Sequence, residues 1–499
     1  MTVNKTVLTL SYMDTPCFPA WSDGFAAAVR RLRCAADDGL HQFELLFAPW
    51  IAHQALAPED DGPHSRCRCW PLRLVFWSFL WQVAQAGASC REAIRQAQSR
   101  CRVQCQRVPP DATSPYCQAR ARLPLERLDA IHDAVVQEAE AGLRKQDLWY
   151  GHRVRVVDGT TVTLPDTPRN QKRCPQQSVQ KPGCGFPIVR LVALFSLATG
   201  LISAWISGDW HEHELILLQQ LWDSLSSGDV LLGDRGFCNW GLLAQCAQHG
   251  VHAVLRVRGS QRSDWRRGQR LSSDQRLVVW TKPRLCPTTI PPAEWDLLPL
   301  ELSLRLVRCR LTQKGFRTCE VILVTTLLDP VRYPTSAFSQ LYRRRWDMEL
   351  TLRHLKTTLQ MEHLSCQNPE NVRRELRMHL LMHNLVRRLM LEAARRHRVA
   401  LSRISFAGAL AAARRYGEAL LQVHGRRKRR ELIDELLRVV AADEVPDRPG
   451  RREPRAVKRR PKPYPRLMSR RHHFREISHQ NRYYLNSKFG PKYRKSSKA

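Results

Sequence analysis

The sequence predicts an α/β protein with helical flanks and an extended basic tail. From position 152 onward, strand-like segments with β-branched or alternating apolar residues alternate with helical segments, an order typical of α/β layer structures. On both sides of this part, in 20–148 and 336–397, apolar residues recur at helical spacing. The last residues, from 448, combine prolines with many Arg and Lys and lack an apolar period, which indicates an extended tail.

The individual elements follow from apolar spacing and turn-forming residues. The 16-residue apolar run 191–206 is predicted to be a buried hairpin, because Gly200 and its neighbours mark a turn. The region 259–328 is strand-like and rich in Arg and Pro. In chain order, the sequence predicts helical breaks at 58–63 and 109–115, a helix through 125–139, strands at 154–158, 161–164, 188–197, 201–207, 230–233 and 251–257, helices at 213–225 and 240–248, and antiparallel strands at 277–280 and 302–311.

The charge of the chain is large and unevenly distributed. The 80 Lys and Arg exceed the 46 Asp and Glu by 34, of which residues 1–148 contribute one and residues 448–499 contribute 16. Such an excess favours a polyanionic partner, either nucleic acid or an anionic membrane surface. The first 16 residues lack the apolar core of a signal peptide, and the apolar tract 74–84 is too short to span a bilayer. We therefore expect a cytoplasmic protein whose middle and tail contact a polyanion.

Two groups of residues could bind metal, although each has a simpler interpretation. The chain has 16 cysteines and no export signal, so reduced, buried thiols are expected rather than disulfides. The segment His-Glu-His-Glu at 211–214 lacks the His-Glu-x-x-His spacing and stands where a helix is predicted to begin. The cysteines that could instead ligate zinc are Cys67 with Cys69, or Cys101 with Cys105 and Cys117.

One predicted helix gathers a carboxylate and several cations on a single face. The segment 342–356 reads YRRRWDMELTLRHLK. At about 100° per residue, Tyr342, Arg345, Glu349 and Lys356 lie on one side of the helical wheel, whereas Asp347 points to the other side. Such a face could be an ordinary solvated surface with weak ion pairs. The alternative is a functional carboxylate at Glu349.

Two aspartates at predicted strand ends favour the functional alternative. Asp158 closes Val-Arg-Val-Val and Asp234 follows Val-Leu-Leu-Gly, and a glycine adjoins each acid. Either residue could simply be a turn-former, but functional groups of open α/β sheets gather at the carboxyl ends of strands. Three converging carboxylates, these two and Glu349, would repel one another without bound divalent cations. Two such ions support in-line displacement at phosphorus, so the chemistry that fits is phosphodiester cleavage or transfer.

These acidic segments resemble the three catalytic blocks of bacterial DDE transposases. The blocks are Asp-Gly-Thr-Thr at 158–161, Gly-Asp-Arg-Gly-Phe at 233–237 and Tyr-(2)-Arg-(3)-Glu-(6)-Lys at 342–356. The last block is the signature of the insertion sequence 4 family, and all four of its positions match. Segments 164–191 and 452–462 also resemble members of this family.

The resemblance implies a ribonuclease-H-like catalytic core that is interrupted by a mostly β insertion. In it, Asp158, Asp234 and Glu349 would hold two Mg²⁺ or Mn²⁺ ions. The residues that would contact DNA phosphates near the transposon end are Tyr342, Arg345 and Lys356. The first implied regions are a helical N-terminal region with possible end recognition (1–148), the first part of the core (149–258) and the insertion (259–330). They are followed by the catalytic helix with the second part of the core (331–400), a helical C-terminal region (401–447) and the basic tail (448–499).

The resemblance also implies cut-and-paste transposition. Hydrolytic nicking at the element end would be followed by hairpin formation, hairpin opening and joining to target DNA. The partners would be the terminal inverted repeats, the target DNA and a second copy of the chain in a synaptic homodimer, with no membrane. An aromatic side chain of the insertion, from Trp265, Trp280 or Trp295, would fill the gap left by a flipped base. The alternatives are a catalytically silent DNA-binding descendant and a metal-dependent nuclease without strand transfer.

Overall fold

The computed structural model describes residues 42–446 except 52, 58–68, 104–105, 179–180, 182, 259–264, 266 and 312–318, and also His473. The predicted tail at 448–499 therefore lies outside the described residues apart from His473, as do Cys67 and Cys105. The described helices are α1 Gln42–Phe47, α2 Leu72–Ala84, α3 Cys90–Val103, α4 Thr113–Ala121, α5 Leu125–Ala141, α6 Pro168–Arg173, α7 Glu214–Gln219, α8 Trp240–Gln248, α9 Pro292–Leu297, α10 Thr335–Arg353, α11 Pro369–His397, α12 Phe406–Gln422 and α13 Arg426–Ala442. The described strands are β1 Val154–Thr163, β2 Ile188–Ser196, β3 Ile202–Asp209, β4 Val230–Gly233, β5 His252–Arg256, β6 Gln269–Arg270, β7 Gln275–Thr281, β8 Glu301–Leu311 and β9 Cys319–Thr325.

These strands form one mixed sheet in the order β3-β2-β1-β4-β5-β9-β8-β7-β6. Strands β1, β4 and β5 are parallel, and β2 and β3 fold back antiparallel beside β1. Strand β9 pairs antiparallel with β5, so the strands from 269 to 325 extend the same sheet. Strand β4 is buried along its whole length, which explains its continuous apolar sequence. The α/β class predicted from the sequence is confirmed.

Several predicted elements match the structure closely. The hairpin within 191–206 is formed by β2 and β3, and Gly200 in its turn has a φ of 72°, which favours glycine. Strand 230–233 and helix 240–248 coincide with β4 and α8. The strands predicted at 277–280 and 302–311 lie in β7 and β8, which pair antiparallel as expected.

Three predicted elements have different limits in the structure. The strands predicted at 154–158 and 161–164 are one strand, β1, because 155–163 pair without a break with β2. The helix predicted at 213–225 ends after Gln219 and is followed by a 3₁₀ turn at Trp222–Ser224. After this turn, the Asp229 carboxylate accepts a hydrogen bond from the backbone N–H of Ser226.

The predicted helix at 336–397 is also divided in two. Residues between α10 and α11 pair with the end of β1: the Thr163 N–H donates to Glu362 O, and the Leu364 N–H donates to Thr163 O. A new helix then begins at Pro369, where the Asn368 side chain accepts from the N–H of Asn371 as an N-cap. Apolar spacing alone does not show this division, because the second helix is marked by its N-cap residue Asn368 and by Pro369.

Helix α11 is the centre of the helical layer. It packs against α2, α5, α12 and α13, and most of its side chains are buried. The side chain of Asn384 accepts a hydrogen bond from the backbone N–H of Ile202 and donates one to the carbonyl of the same residue, both at 2.9 Å. Asn384 thereby pairs with the backbone of the edge strand β3 as a neighbouring strand would. Alternate residues of the central strands face two hydrophobic clusters, one under α11 and one under α8.

Neither a membrane span nor a metal cluster is found in the described ranges. No helix there has the length and apolar character needed to cross a bilayer. No group of three or more His, Cys, Asp or Glu side chains within the same ranges is placed to hold a metal ion. The zinc alternative of Cys101 with Cys105 and Cys117 includes Cys105, which lies outside the described residues, so it stays untested; Cys101 itself is a buried thiol.

Candidate active site

The sheet places Asp158 and Asp234 side by side. In the parallel pairing of β1 with β4, Val157 stands opposite Gly233, and each aspartate is the next residue along its chain. Neighbouring strands lie about 4.8 Å apart. Gly233 is needed at this point, because a Cβ on it would lie 2.9 Å from a methyl group of Leu255 and 3.0 Å from one of Val157. Asp158, which lies within β1, and Asp234, which directly follows β4, therefore occupy neighbouring positions in a tightly packed part of the sheet.

Helix α10 supplies the third acid and its companions. It packs against β1, β4 and β8. The Tyr342 hydroxyl donates to Asp234 Oδ1 at 3.1 Å, and Arg345 Nη2 donates to Glu349 Oε1 at 2.7 Å. The Arg345 guanidinium also lies over the Tyr342 ring, with Cζ 5.4 Å from the ring centroid. Three of the four residues predicted to share a face are thus linked to one another and to Asp234.

Lys356 lies beyond the end of helix α10, so the helical-wheel argument that placed it on this face does not extend to it. Helix α10 ends at Arg353, and His354–Thr358 form a π-helical turn, in which the angle of about 100° per residue no longer applies. The turn is held by packing, because the His354 ring stacks on Phe406 at 4.6 Å between ring centroids. Lys356 is half-buried, and within the described residues its ammonium group makes no ion pair.

Burial and neighbouring charges shift the ionisation of two groups in this site. Burial raises the pKa of Asp158 to about 6, and the charges of Glu349 and Glu214 add to the rise. The Gly159 N–H, which donates to Asp158 at 2.9 Å, and the Arg345 guanidinium oppose this shift. Burial also raises the pKa of Tyr342 to about 12, so its hydroxyl stays protonated and remains a donor to Asp234.

Two charged residues beside the acids were not predicted from the sequence. Arg256 Nη1 lies 3.9 Å from Asp234 Oδ1, as expected from the register, since Leu255 of β5 stands opposite Gly233. Glu214 lies against Gly159 so closely that a Cβ on that glycine would overlap its carboxylate. The signal for Arg256 was its place at the end of a predicted parallel strand, and Glu214 belongs to the His-Glu-His-Glu segment.

The rest of the His-Glu-His-Glu segment organises a turn and a helix start. Asp209 accepts hydrogen bonds from the N–H groups of His211 and Glu212, and Glu212 accepts from the N–H of Asp209. The His213 ring nitrogen accepts from the N–H of Leu215 as the N-cap of α7. The prediction that a helix begins here is confirmed.

The carboxylate chemistry of the site suits a hard divalent cation, although no three of its acids stand close enough together in the described residues to share one ion. Mg²⁺ and Mn²⁺ prefer carboxylate oxygens, and Asp158, Asp234 and Glu349 offer them. Asp158 makes no ion pair within the described part of the chain, although other carboxylates raise its pKa. The other two acids have cationic neighbours, Arg256 for Asp234 and Arg345 for Glu349. A bound cation would relieve the repulsion that Asp158 experiences.

Sequence comparison places this arrangement in a known family. The family described as "Transposase DDE domain" matches residues 149–385, a range that contains all three acids. The chain belongs to the DDE transposases of the insertion sequence 4 family. The transposase is 28% identical over 359 residues to "Transposase InsG for insertion sequence element IS4" of Escherichia coli (strain K12), which covers 71% of this chain and 78% of the relative.

Two further similarities are weaker. The transposase is 24% identical over 142 residues to "Putative transposase InsZ" of Escherichia coli (strain K12), covering 28% of this chain and 48% of that protein. Among solved structures, the piggyBac transposase synaptic complex with hairpin DNA matches with a TM-score of 0.39 at 10% identity, covering 79% of this chain and 84% of that chain. A TM-score of 0.39 is too low to establish a common fold.

Proposed function

We propose that this transposase cuts DNA at the ends of an insertion sequence and joins the freed 3′ ends to target DNA. Asp158, Asp234 and Glu349 would hold two Mg²⁺ or Mn²⁺ ions in a ribonuclease-H-like core. The observation that carries the proposal is the adjacency of Asp158 and Asp234 on parallel strands under the helix that bears Glu349. The order β3-β2-β1-β4-β5, with three antiparallel strands followed by two parallel ones, is the arrangement expected of such a core.

The surrounding side chains would prepare the acids for this role. Two divalent ions bound there would activate the attacking oxygen and neutralise the leaving oxygen. Tyr342 orients Asp234 through its hydrogen bond of 3.1 Å. Arg345 holds Glu349 and compensates its charge. The backbone N–H of Gly159 fixes one oxygen of Asp158 and leaves the other available.

DNA is the partner that the charge distribution favours. Residues 149–447 hold half of the net charge, +17 of the +34, and phosphate contacts by Lys and Arg dominate the affinity of proteins for DNA. Lys356 is the candidate that the family signature offers in the π turn, and its ammonium group has no ion pair in the described residues. Tyr342 and Arg345 are only 1% and 5% exposed. Either residue would have to release its carboxylate partner before it could contact a phosphate.

A hairpin intermediate is the second part of the proposal. Of the three tryptophans that could fill the gap of a flipped base, Trp295 is buried and packs against Trp240 at 5.3 Å between ring centroids. Trp265 is only half-buried and lies between two arginines, with Cζ of Arg308 4.2 Å and Cζ of Arg276 5.9 Å from its ring centroid. An aromatic ring flanked by cations suits stacking on a base between phosphates, so Trp265 is our first choice.

We further propose a homodimeric synaptic complex that holds two terminal inverted repeats, with the six regions defined above as its structural units. The described N-terminal helices α2 and α5 pack on α11. If residues 1–148 recognise the element ends, these helices would do so while packed against the helical layer. We also propose that the transposase acts by cut-and-paste transposition in the cytoplasm of a bacterium.

Cleavage assays on the acidic variants test the proposal. DNA carrying the native flanks of the coding region is incubated with Mg²⁺ and with wild-type protein, Asp158→Asn, Asp234→Asn or Glu349→Gln. We expect each variant to lose cleavage by about a thousandfold or more, since several kcal/mol of charge stabilisation is removed, and to retain the DNA in a gel-shift assay. Asp223→Asn, at an exposed carboxylate in the 3₁₀ turn, is the matched control and should cut normally.

Each outcome has one interpretation. Robust cleavage by one of the three variants would remove that residue from the site. Cleavage by wild-type protein without joining to a target plasmid would favour the nuclease, and DNA retention without any cleavage would favour the silent DNA-binding descendant.

A further inference from the structure

We propose that Cys90 and Cys117 form a peroxide-reactive dithiol site that closes to a disulfide, far in the sequence from the catalytic acids and independent of them. Cys90 is the first residue of α3, and Cys117 lies in α4. Their sulfur atoms are 3.8 Å apart, and the Cys117 thiol donates to the Cys90 sulfur. Both residues are partly exposed, so a small oxidant can reach them.

The Cys90 sulfur is surrounded by hydrogen-bond donors. Arg120 Nη1 lies 3.5 Å from it and Gln82 Nε2 lies 3.7 Å from it. It also stands at the start of a 14-residue helix, where the helix dipole favours an anion. Helix starts and neighbouring cations are the features that convert an ordinary thiol into a reactive thiolate.

The cation at this site is held firmly. The Arg120 side chain is buried, with its guanidinium over the Phe79 ring at 4.1 Å from the centroid. It donates to Gln82 Oε1 at 3.1 Å and to the Cys366 sulfur at 2.8 Å. Because its other contacts fix the guanidinium, the positive charge remains beside Cys90 whatever the state of that sulfur.

The ionisation of the two thiols agrees with this geometry. The hydrogen bond from Cys117 lowers the pKa of Cys90 to about 6, with further lowering by Arg120 and Gln82 against the opposing effect of burial. The same hydrogen bond raises the pKa of Cys117, which therefore keeps its proton. Cysteines of the core behave differently: burial raises the pKa of Cys246 to about 12.

The two thiols have complementary parts in the oxidation. The Cys90 thiolate attacks one oxygen of hydrogen peroxide, so that an S–O bond forms, the O–O bond breaks, and the departing hydroxide is protonated to water. The Cys117 thiol then attacks the sulfenic sulfur; an S–S bond forms, the S–O bond breaks, and the leaving hydroxide takes the Cys117 proton as water. In total, two thiols and one peroxide give one disulfide and two waters. The sulfur atoms must approach from 3.8 Å to about 2.05 Å.

Alkylation and oxidation of the full-length reduced protein test the site. The rate of iodoacetamide labelling at each cysteine is measured by mass spectrometry from pH 8 to pH 6. We expect labelling of Cys90 to slow only about twofold over this range, whereas a free thiol such as N-acetylcysteine slows roughly seventyfold. Cys286, which is exposed and whose sulfur contacts only backbone carbonyls, is the control within the protein.

Hydrogen peroxide then identifies the product. We expect a Cys90–Cys117 disulfide in the wild-type protein and, in Cys117→Ser, a sulfenic acid at Cys90 that dimedone traps. Cys90→Ser should leave Cys117 reduced. Labelling of Cys90 that slows as steeply as Cys286, or peroxide-treated protein in which Cys90 and Cys117 stay reduced, would overturn the proposal. Thermal unfolding of both Ser variants checks that they remain folded.

Discussion

The active site and the buried Asn384 of α11 hold their polar groups in different ways. At the active site, charged side chains pair near solvent, as in the ion pair of Arg345 with Glu349, whose side chain is 55% exposed. Along α11, the buried Asn384 is uncharged, and it also donates to the His132 ring at 3.0 Å. Pairs near solvent can exchange partners at small cost, whereas a buried group that loses its partner leaves an unsatisfied polar atom. The active site is therefore suited to exchanging ligands, and the hydrogen bonds of Asn384 are suited to permanence.

Acidification should produce the largest effect, and it should act on two buried histidines, His379 of α11 and His354 of the π turn. Burial lowers the pKa of His379 and of His354 to about 4; Arg387 and Arg353 add to the shift of His354, and Glu375 opposes that of His379. The unfolded chain takes up these protons from about pH 6.5 and the folded chain only near pH 4, so stability is complete above pH 6.5 and is lost as the pH falls toward 4. We expect the free energy of unfolding in urea to fall by roughly 3 kcal/mol for each histidine at most.

The variant His379→Leu isolates the contribution of one histidine. Its stability should fall less steeply between pH 6 and pH 4.5, by about one proton. His211→Gln, at an exposed histidine, should have the profile of the wild type. A wild-type protein as stable at pH 4.5 as at pH 7 would contradict the neutral state of these buried rings.

Replacing Asn384 should have the next largest effect. Asn384→Leu keeps the number and branching of the side-chain heavy atoms but removes the hydrogen bonds to Ile202 and His132, and it leaves the backbone N–H and C=O of Ile202 without their Asn384 partner in the core. We expect a loss of about 2–4 kcal/mol in the free energy of unfolding, measured by urea denaturation at pH 7.5. The control Gln118→Ala removes an exposed amide that bonds only to Ser114 within its own helix, and it should change stability little.

The smallest effect on stability is expected at the active site itself. Glu349→Gln retains an oxygen that can accept from Arg345, and it removes one of the charges that raise the pKa of Asp158. The free energy of unfolding should therefore change by less than about 1 kcal/mol, although cleavage is lost. A destabilisation as large as that of Asn384→Leu would make Glu349 a structural residue and erase the contrast between the two networks.

The sequence revealed the parts of the fold that depend on local pattern. Strand β4 and helix α8 were predicted to the residue because continuous apolar burial and an amphipathic spacing are local properties. The acids Asp158 and Asp234 were found because each follows a recognisable strand. Their roles in catalysis, like those of Tyr342, Arg345 and Lys356, stay predictions.

What escaped prediction depends on contacts between distant segments. Arg256 approaches Asp234 only through the register of β5 with β4, and Glu214 approaches Asp158 only because α7 packs against β2 and β3. The π turn that contains Lys356 packs through stacking of His354 against Phe406, which lies in another helix. A helical wheel contains none of this information.

The pairing of β5 with β9 has a mechanical consequence. Val254, Leu255 and Arg256 are opposite Thr325, Val324 and Leu323 in one backbone ladder, so the meander from 269 to 325 is fastened to the strand beside Asp234. No hinge can lie at that seam without breaking the ladder. A movement of the meander relative to the strand beside Asp234 would therefore cost the hydrogen bonds of this ladder.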